Sequence, residues 1–183
     1  MNLSYAPRIW SADTAKNALE LLNSRNFDLV IVMLRIADTD PVSFSKKIKS
    51  LYTDVPIVLL AFDESEIKAL HGMNKEFDNI FIWTGDSHVF AAIIKYVEDK
   101  KNVKRDIQIG DVRVILLIED NVRYYSTFFP EVYREVLYYT KELMSKSLND
   151  AHRLIRMRAR PKILLAKNYE KAKKYFDKYH NNI

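Results

Sequence analysis

Runs of apolar residues without polar alternation recur along the chain: DLVIVML at 28–34, VPIVLLAF at 55–62, NIFIW at 79–83, VRVILLIED at 112–120 and KILLA at 162–166. A strand that is apolar on both of its faces is covered on both faces, as in a parallel sheet flanked by helices. A shorter β-prone stretch, RIWSA at 8–12, precedes them. Between the runs the spacing changes to that of helices. Asp13 is a candidate N-cap, followed by Ala15, Ala18, Leu19 and Leu22 on one face. Asp40-Pro41 supplies an N-cap and a first helical position, with Phe44, Ile48 and Leu51 after it. A helix over 65–76 carries Ile67 and Leu70, and another opens at Asp86 or Ser87 with Phe90, Ile93, Ile94 and Val97 inward.

The charged segment EDKKNVKRDIQIGD, 98–111, reads as a linker. A long helical stretch runs from Val122 to Arg160, with Pro130 as a kink and Asn149-Asp150 as a break, and Pro161 ends it. YEKAKKYFDKY then forms a last helix. Strand and helix in alternation predict an α/β fold, a doubly wound parallel sheet with helices on both faces, plus the long helix and an extra C-terminal strand and helix.

Composition narrows the chemistry. The chain is 48% hydrophobic, enough for a packed core. It has three glycines, so neither a dinucleotide fingerprint nor a Walker loop can be written. Cysteine is absent, which removes disulfides and thiolate chemistry and fits a cytoplasmic protein. The four histidines are scattered without metal-ligand spacing. No apolar run is long enough to cross a membrane, and the first residues lack the apolar core of a signal peptide. Charge is uneven. Residues 144–183 hold 11 Lys+Arg against 3 Asp+Glu, a surplus of +8 that leaves the first 143 residues at −3 of the total +5. The basic residues alternate with apolar ones, as on the solvated face of helices. Arg153, Arg156, Arg158 and Arg160, with Lys162 and Lys167, are the candidates for binding an anion or a nucleic acid. No nucleic-acid recognition module accompanies them.

The segments FDLVIVMLRIADTDPVSF, DVPIVLLAF, FDNIFIW and VILLIEDN have the length and polarity of another family's strands and loops. The chain resembles the response-regulator receiver domain, the CheY-like, flavodoxin-like fold of two-component signalling. The resemblance runs in an unusual order. Residues 7–100 look like a receiver from its second strand to its last helix, and 112–178 like a receiver from its first strand to its second helix. Two segments, 1–111 and 112–183, are expected: a pseudo-receiver lacking its first strand and helix, and the front of a second receiver-like unit that completes the first by circular permutation or by swapping.

The family's chemistry implies an acid pair holding Mg²⁺, a phosphoacceptor aspartate, a hydroxyl and a lysine. Counting back from Asp40-Pro41 places the phosphoacceptor position at Met33, the hydroxyl position at Ala61 and the lysine position at Trp83. A thioether, a methyl and an indole replace an oxygen nucleophile, a hydroxyl and a cation. The acid pair, Glu119 and Asp120, is kept. It is open to two readings: an Mg²⁺ site completed from outside the chain, or an inherited turn with Asp120 capping the next helix. IEDNVRYYSTFFPEVY and RARPKILLAKNYEKA are also similar to bacterial proteins whose tandem receivers precede a phosphoenolpyruvate/pyruvate-binding region. That likeness implies a regulatory part of a larger kinase-like protein.

Seven aromatics crowd the long helix: Tyr124, Tyr125, Phe128, Phe129, Tyr133, Tyr138 and Tyr139. They are too many for one narrow face, so some are expected to meet a partner. RIWSA and KILLA both resemble strand two, so one strand is surplus. Exchange with a second copy would pair it. The expected function is a non-catalytic signalling module that binds protein partners or fused signalling domains, without enzymatic activity, cofactor, membrane or nucleic acid. Its alternatives are the Mg²⁺-binding regulatory fragment and nucleic-acid binding.

Overall fold

The computed structural model describes residues 7–145 and 160–183. Two compact units divide the chain, residues 2–86 and 87–183. The protein is mixed α/β, and its described strands pair in parallel. Among the described residues no helix is long and apolar enough to cross a membrane.

The first unit runs α1 (Ala15–Ser24), β1 (Val30–Met33), α2 (Pro41–Leu51), β2 (Ile57–Ala61), α3 (Glu64–Lys68), a 3₁₀ turn (Met73–Glu76) and β3 (Asn79–Ile82). Its sheet has the order β1-β2-β3, with Val30 opposite Ile57 and Val58 opposite Asn79. Every residue of the central β2 is buried, as its unbroken apolar sequence requires. Side-chain oxygens start the helices. Thr14 Oγ1 accepts from Asn17 N at 3.1 Å, one residue beyond the expected Asp13. Asp40 Oδ1 accepts from Ser43 N at 2.9 Å with Pro41 in the first turn, as the sequence predicts.

Two expected elements differ. RIWSA pairs with no strand: Ile9 and Trp10 are exposed, and the Arg25 guanidinium lies 3.9 Å from the centre of the Trp10 ring. Arg8 and Ser11 leave it only two large apolar side chains to bury. The helix expected over 65–76 ends at Lys68, because His71 (φ 47°) and Gly72 (φ 81°) turn left-handed and stop it. Ile67 and Leu70 are buried nonetheless.

The second unit runs α4 (His88–Gly110), β4 (Val114–Ile118), α5 (Val122–Ser145), β5 (Lys162–Ala166) and α6 (Tyr169–Tyr179). The 98–111 segment is not a linker. It continues α4, which ends on Asp111 in the left-handed region. Val103 is buried and Ile107 packs beside it, so the apolar stripe begun at Val89 persists between the charges. α4 packs on α5 and β5, so the compact units divide after Asp86, earlier than the 111/112 boundary drawn from the sequence.

β4 and β5 pair in parallel from Val114–Lys162 to Ile118–Ala166, as a ladder separate from β1-β2-β3. KILLA therefore has a partner in its own chain, and with RIWSA outside the sheet no strand is surplus among the described residues. α5 continues through Pro130 to Ser145. The Asn149-Asp150 break lies outside the described residues. α6 closes over the ladder, with Tyr179 against Val103, Val114 and Leu164. The chain end is tied down by Asn182, whose Nδ2 donates to Asp111 Oδ1 at 2.8 Å.

Candidate functional site

Parallel pairing brings the carboxyl ends of β1, β2 and β3 to one edge of the first sheet. In open α/β sheets this is the edge where ligands bind. Met33 is the last residue of β1, opposite Leu60, and Ala61 is the last of β2, opposite Ile82. Trp83 follows β3 directly, its N–H donating to the Ala61 carbonyl at 2.8 Å. The three positions singled out from the sequence thus share one edge. Ala61 is 1% exposed, and the Trp83 and Phe62 rings lie 5.7 Å apart. The side chains presented are a thioether, a methyl and two aromatic rings. None can accept a phosphoryl group or offset its charge.

Carboxylates stand close by in sequence, but they are engaged in holding backbone. Asp38 accepts from Ala15 N at 2.7 Å and Lys16 N at 3.2 Å, capping α1 from 23 residues away. The Ala15 N–H holds its carboxyl below the usual carboxylate range. Asp40 is lowered by its bonds to Ser43 at the start of α2. Asp63 caps α3 through Glu66 N at 3.0 Å and is lowered chiefly by the Ser65 hydroxyl. Glu66 Oε2 accepts from Phe62 N at 2.8 Å. Restoring oxygen at this edge is expected to be unfavourable: Ala61→Ser should lower stability by about 1–3 kcal/mol in urea melts, because a hydroxyl is buried where a methyl packs.

The acid pair lies at the carboxyl end of β4. Glu119 N donates to the Ala166 carbonyl at 3.0 Å and so extends the ladder, and Glu119 Oε1 accepts from Asn121 N at 2.9 Å. The cap of α5 is Asn121, not Asp120: Asn121 Oδ1 accepts from Arg123 N at 2.9 Å and Tyr124 N at 3.2 Å. Asp120 is exposed. Among the described residues the pair does not gather with a third acid or histidine into a metal-binding group.

The seven aromatics divide by helical face. Tyr125, Phe129 and Tyr133 are at most 1% exposed, whereas Tyr124, Phe128, Tyr138 and Tyr139 are about half exposed or more. Phe129 packs on Tyr133 and edge-on to Tyr96 of α4.

One member of the arginine set has a different role. Arg160 is 3% exposed and faces Asp99, which is fully buried on α4. Asp99 Oδ1 accepts from Arg160 Nη2 at 2.6 Å. Its Oδ2 accepts from Arg160 Nη1 at 3.0 Å, the Tyr133 hydroxyl at 3.0 Å and Ile163 N at 2.9 Å. Glu98 lies 3.6 Å from Arg160 and 3.0 Å from Lys95. Two cations and two anions thus form a neutral buried cluster joining α4, α5 and the start of β5. Burial opposes the charge of Arg160, but Asp99 holds its pKa above the ordinary arginine value. Burial, then Asp99, pushes the Tyr133 hydroxyl well up. Lys162 is likewise turned inward, 2.8 Å from Asp106. Arg153, Arg156 and Arg158 lie outside the described residues. The sequence carries one signal of this cluster: Asp99 falls on the stripe of Tyr96 and Val103, where a lone charge requires a buried counter-ion.

No protein-family model matches the chain, and no curated protein is significantly similar to it.

Proposed function

We propose that the chain is a non-catalytic signalling module of the two-component type, a pseudo-receiver that acts through protein–protein contacts. Supporting this reading, each ladder by itself has the neighbour relations of the receiver strand order 2-1-3-4-5. β4 and β5 stand for strands one and two, and β1, β2 and β3 for strands three, four and five. On that frame the chain is a circularly permuted receiver of the doubly wound, flavodoxin-like kind.

The observation that carries the functional reading is the edge formed by Met33, Ala61 and Trp83. Phosphoryl transfer depends on an oxygen nucleophile and on cations that offset the developing charge, and these three positions supply sulfur, methyl and indole instead. Signal then passes by association. Tyr124, Phe128, Tyr138 and Tyr139 offer aromatic surface of the kind enriched at protein interfaces. The partner is another protein, a fused domain or a second copy of the chain.

Intact mass after incubation with phosphoramidate and Mg²⁺ tests the reading. The expected result is an unchanged mass. A stable, acid-labile gain of one phosphoryl group would overturn it.

A further inference from the structure

α5 and α6 each carry two stripes of side chains, one buried and one exposed. On α5 the buried stripe is Tyr125, Phe129 and Tyr133. The exposed one is Tyr124, Phe128, Glu131, Glu135, Tyr138 and Glu142, at steps of four, three, four, three and four residues. On α6 the buried side holds Ala172 and Tyr179. Tyr169, Lys173, Phe176 and His180 follow on the exposed side at steps of four, three and four, with His180 just past the helix end. A surface helix is ordinarily polar opposite its buried stripe. Here Tyr169 is 74% and Phe176 54% exposed, and Tyr124, Phe128 and Tyr138 are about half exposed or more. Neighbouring rings touch along each stripe: Tyr124 and Phe128 are 6.4 Å apart, Phe176 and His180 6.2 Å. Steps that alternate between four and three, about 3.5 residues on average, make a straight seam on which another helix can lie.

The two seams differ in sign. Glu131 and Glu135 share one guanidinium on the flank of α5: Arg134 pairs with the first and lies 3.8 Å from the second. Glu142 adds a further carboxylate to the same line. α6 carries Lys171, Lys173, Lys174 and Lys178 against Glu170 and Asp177. Either seam laid on its own copy sets like charges together, which is unfavourable. α5 laid on α6 sets glutamate against lysine, with aromatic side chains before and after. Tyr124 and Phe128 precede the glutamates and Tyr138 follows them, while Tyr169 and Phe176 bracket Lys173. The lengths are comparable, about 21 Å from Tyr124 to Tyr138 and about 16 Å from Tyr169 to His180. Within one chain both seams are exposed, so neither covers the other.

We propose that the occupant of these seams is a second copy of the chain, which lays its α6 on α5 of the first and receives the first copy's α6 on its own α5. The exchange is reciprocal, so it closes as a two-fold dimer and not as an open filament. Charge selects the pairing of α5 with α6, and the aromatic side chains supply the buried area. The inference rests on the reading of Tyr124, Phe128 and Tyr138 as signalling surface and names the partner of that surface.

Sedimentation equilibrium of the full chain from about 1 to about 100 μM tests it. The expected mass is twice that of the 21.5 kDa chain. Glu131→Lys with Glu135→Lys should give a monomer, and so should Lys173→Glu with Lys174→Glu. All four residues are exposed, so circular dichroism should show both variants folded. An equimolar mixture of the two should dimerise again, because each of its two contacts then joins opposite charges. Phe176→Ala should weaken the dimer by about tenfold or more, and it carries the test if a charge reversal does not fold. A monomeric parent would overturn the proposal, as would a dimer that survives both reversals or a mixture that stays monomeric. A monomer whose intact mass is unchanged by phosphoramidate would sink this association alone and leave the pseudo-receiver reading standing.

Discussion

Asp99→Ala is expected to cost about 3–5 kcal/mol of stability, the usual consequence of leaving one member of a buried ion pair behind. Against a total of roughly 5–15 kcal/mol for a domain, this single change threatens folding of the unit. The size follows from geometry. Asp99 accepts four hydrogen bonds, two of them from a guanidinium that is itself 3% exposed. Removing the carboxylate leaves Arg160 buried with Glu98, 3.6 Å away, as its counter-charge among the described residues. Urea denaturation followed by circular dichroism measures the loss. Asp99→Leu combined with Arg160→Met should recover most of it, since an apolar pair of similar volume often replaces a buried ion pair without penalty. Tyr133→Phe removes one of the four bonds and should cost only about 1 kcal/mol. A double variant as unstable as Asp99→Ala would show that the charges are not what couples these residues.

The second large effect is a stability that rises with pH in the alkaline range. Lys167 has its pKa lowered from 10.5 to about 8. Between those values the unfolded chain keeps a proton that the folded chain has released, so raising the pH favours folding. Below about 8 both states are protonated, and the folded one bears the full unfavourable charge. Lys171 and Lys95 are lowered in the same direction by burial. Tyrosine sets the upper limit. Burial raises the Tyr125 and Tyr133 hydroxyls above their ordinary value of 10.0, so above it the unfolded chain ionises first and stability falls. In chloride buffer, the unfolding free energy from urea melts should climb from about pH 7.5 to about pH 9.5 by roughly 2 kcal/mol, given about 1.4 kcal/mol per pKa unit. In Lys167→Met most of that climb should disappear. A flat or falling profile in the parent would show that Lys167 titrates as an ordinary surface lysine.

The residues that announced themselves in the sequence are those whose structural role depends on neighbours in sequence. IVLLA within VPIVLLAF, and KILLA, became fully buried strands, as unbroken apolar runs with no polar face to offer water, whereas VILLI leaves Ile115 and Ile118 exposed. Asp40-Pro41 began α2, because capping needs only the next three residues. The failures share a different cause. The charged half of α4 resembled a linker because charge was read without phase: Val103 and Ile107 continue the helical stripe between lysines. RIWSA was β-prone, but propensity cannot supply a neighbouring strand. The Asp99–Arg160 pair joins residues 61 apart, and no local pattern marks one arginine of a basic series as the one turned inward. At the candidate edge, Met33, Ala61 and Trp83 could be aligned by strand ends alone. The capping of α1 by Asp38, 23 residues away in sequence, could not.

The pairing of β4 with β5 also shapes how the second unit assembles. In the first sheet, Val30 meets Ile57 and Val58 meets Asn79, across 27 and 21 residues. Val114 meets Lys162 across 48. Doubling a loop costs only about 0.6 kcal/mol of closure entropy, roughly a threefold delay. The stronger constraint is that β5 packs against α4 as well as β4 and α6, so it gains little until all three are in place. As the chain emerges from the ribosome, KILLA follows VILLI by 48 residues and is buried only when the helix after it has also been made. For that interval an unpaired apolar strand is open to other chains, and Arg160 and Lys162, just before and at its start, are charges that keep it soluble until Asp99 and Asp106 receive them.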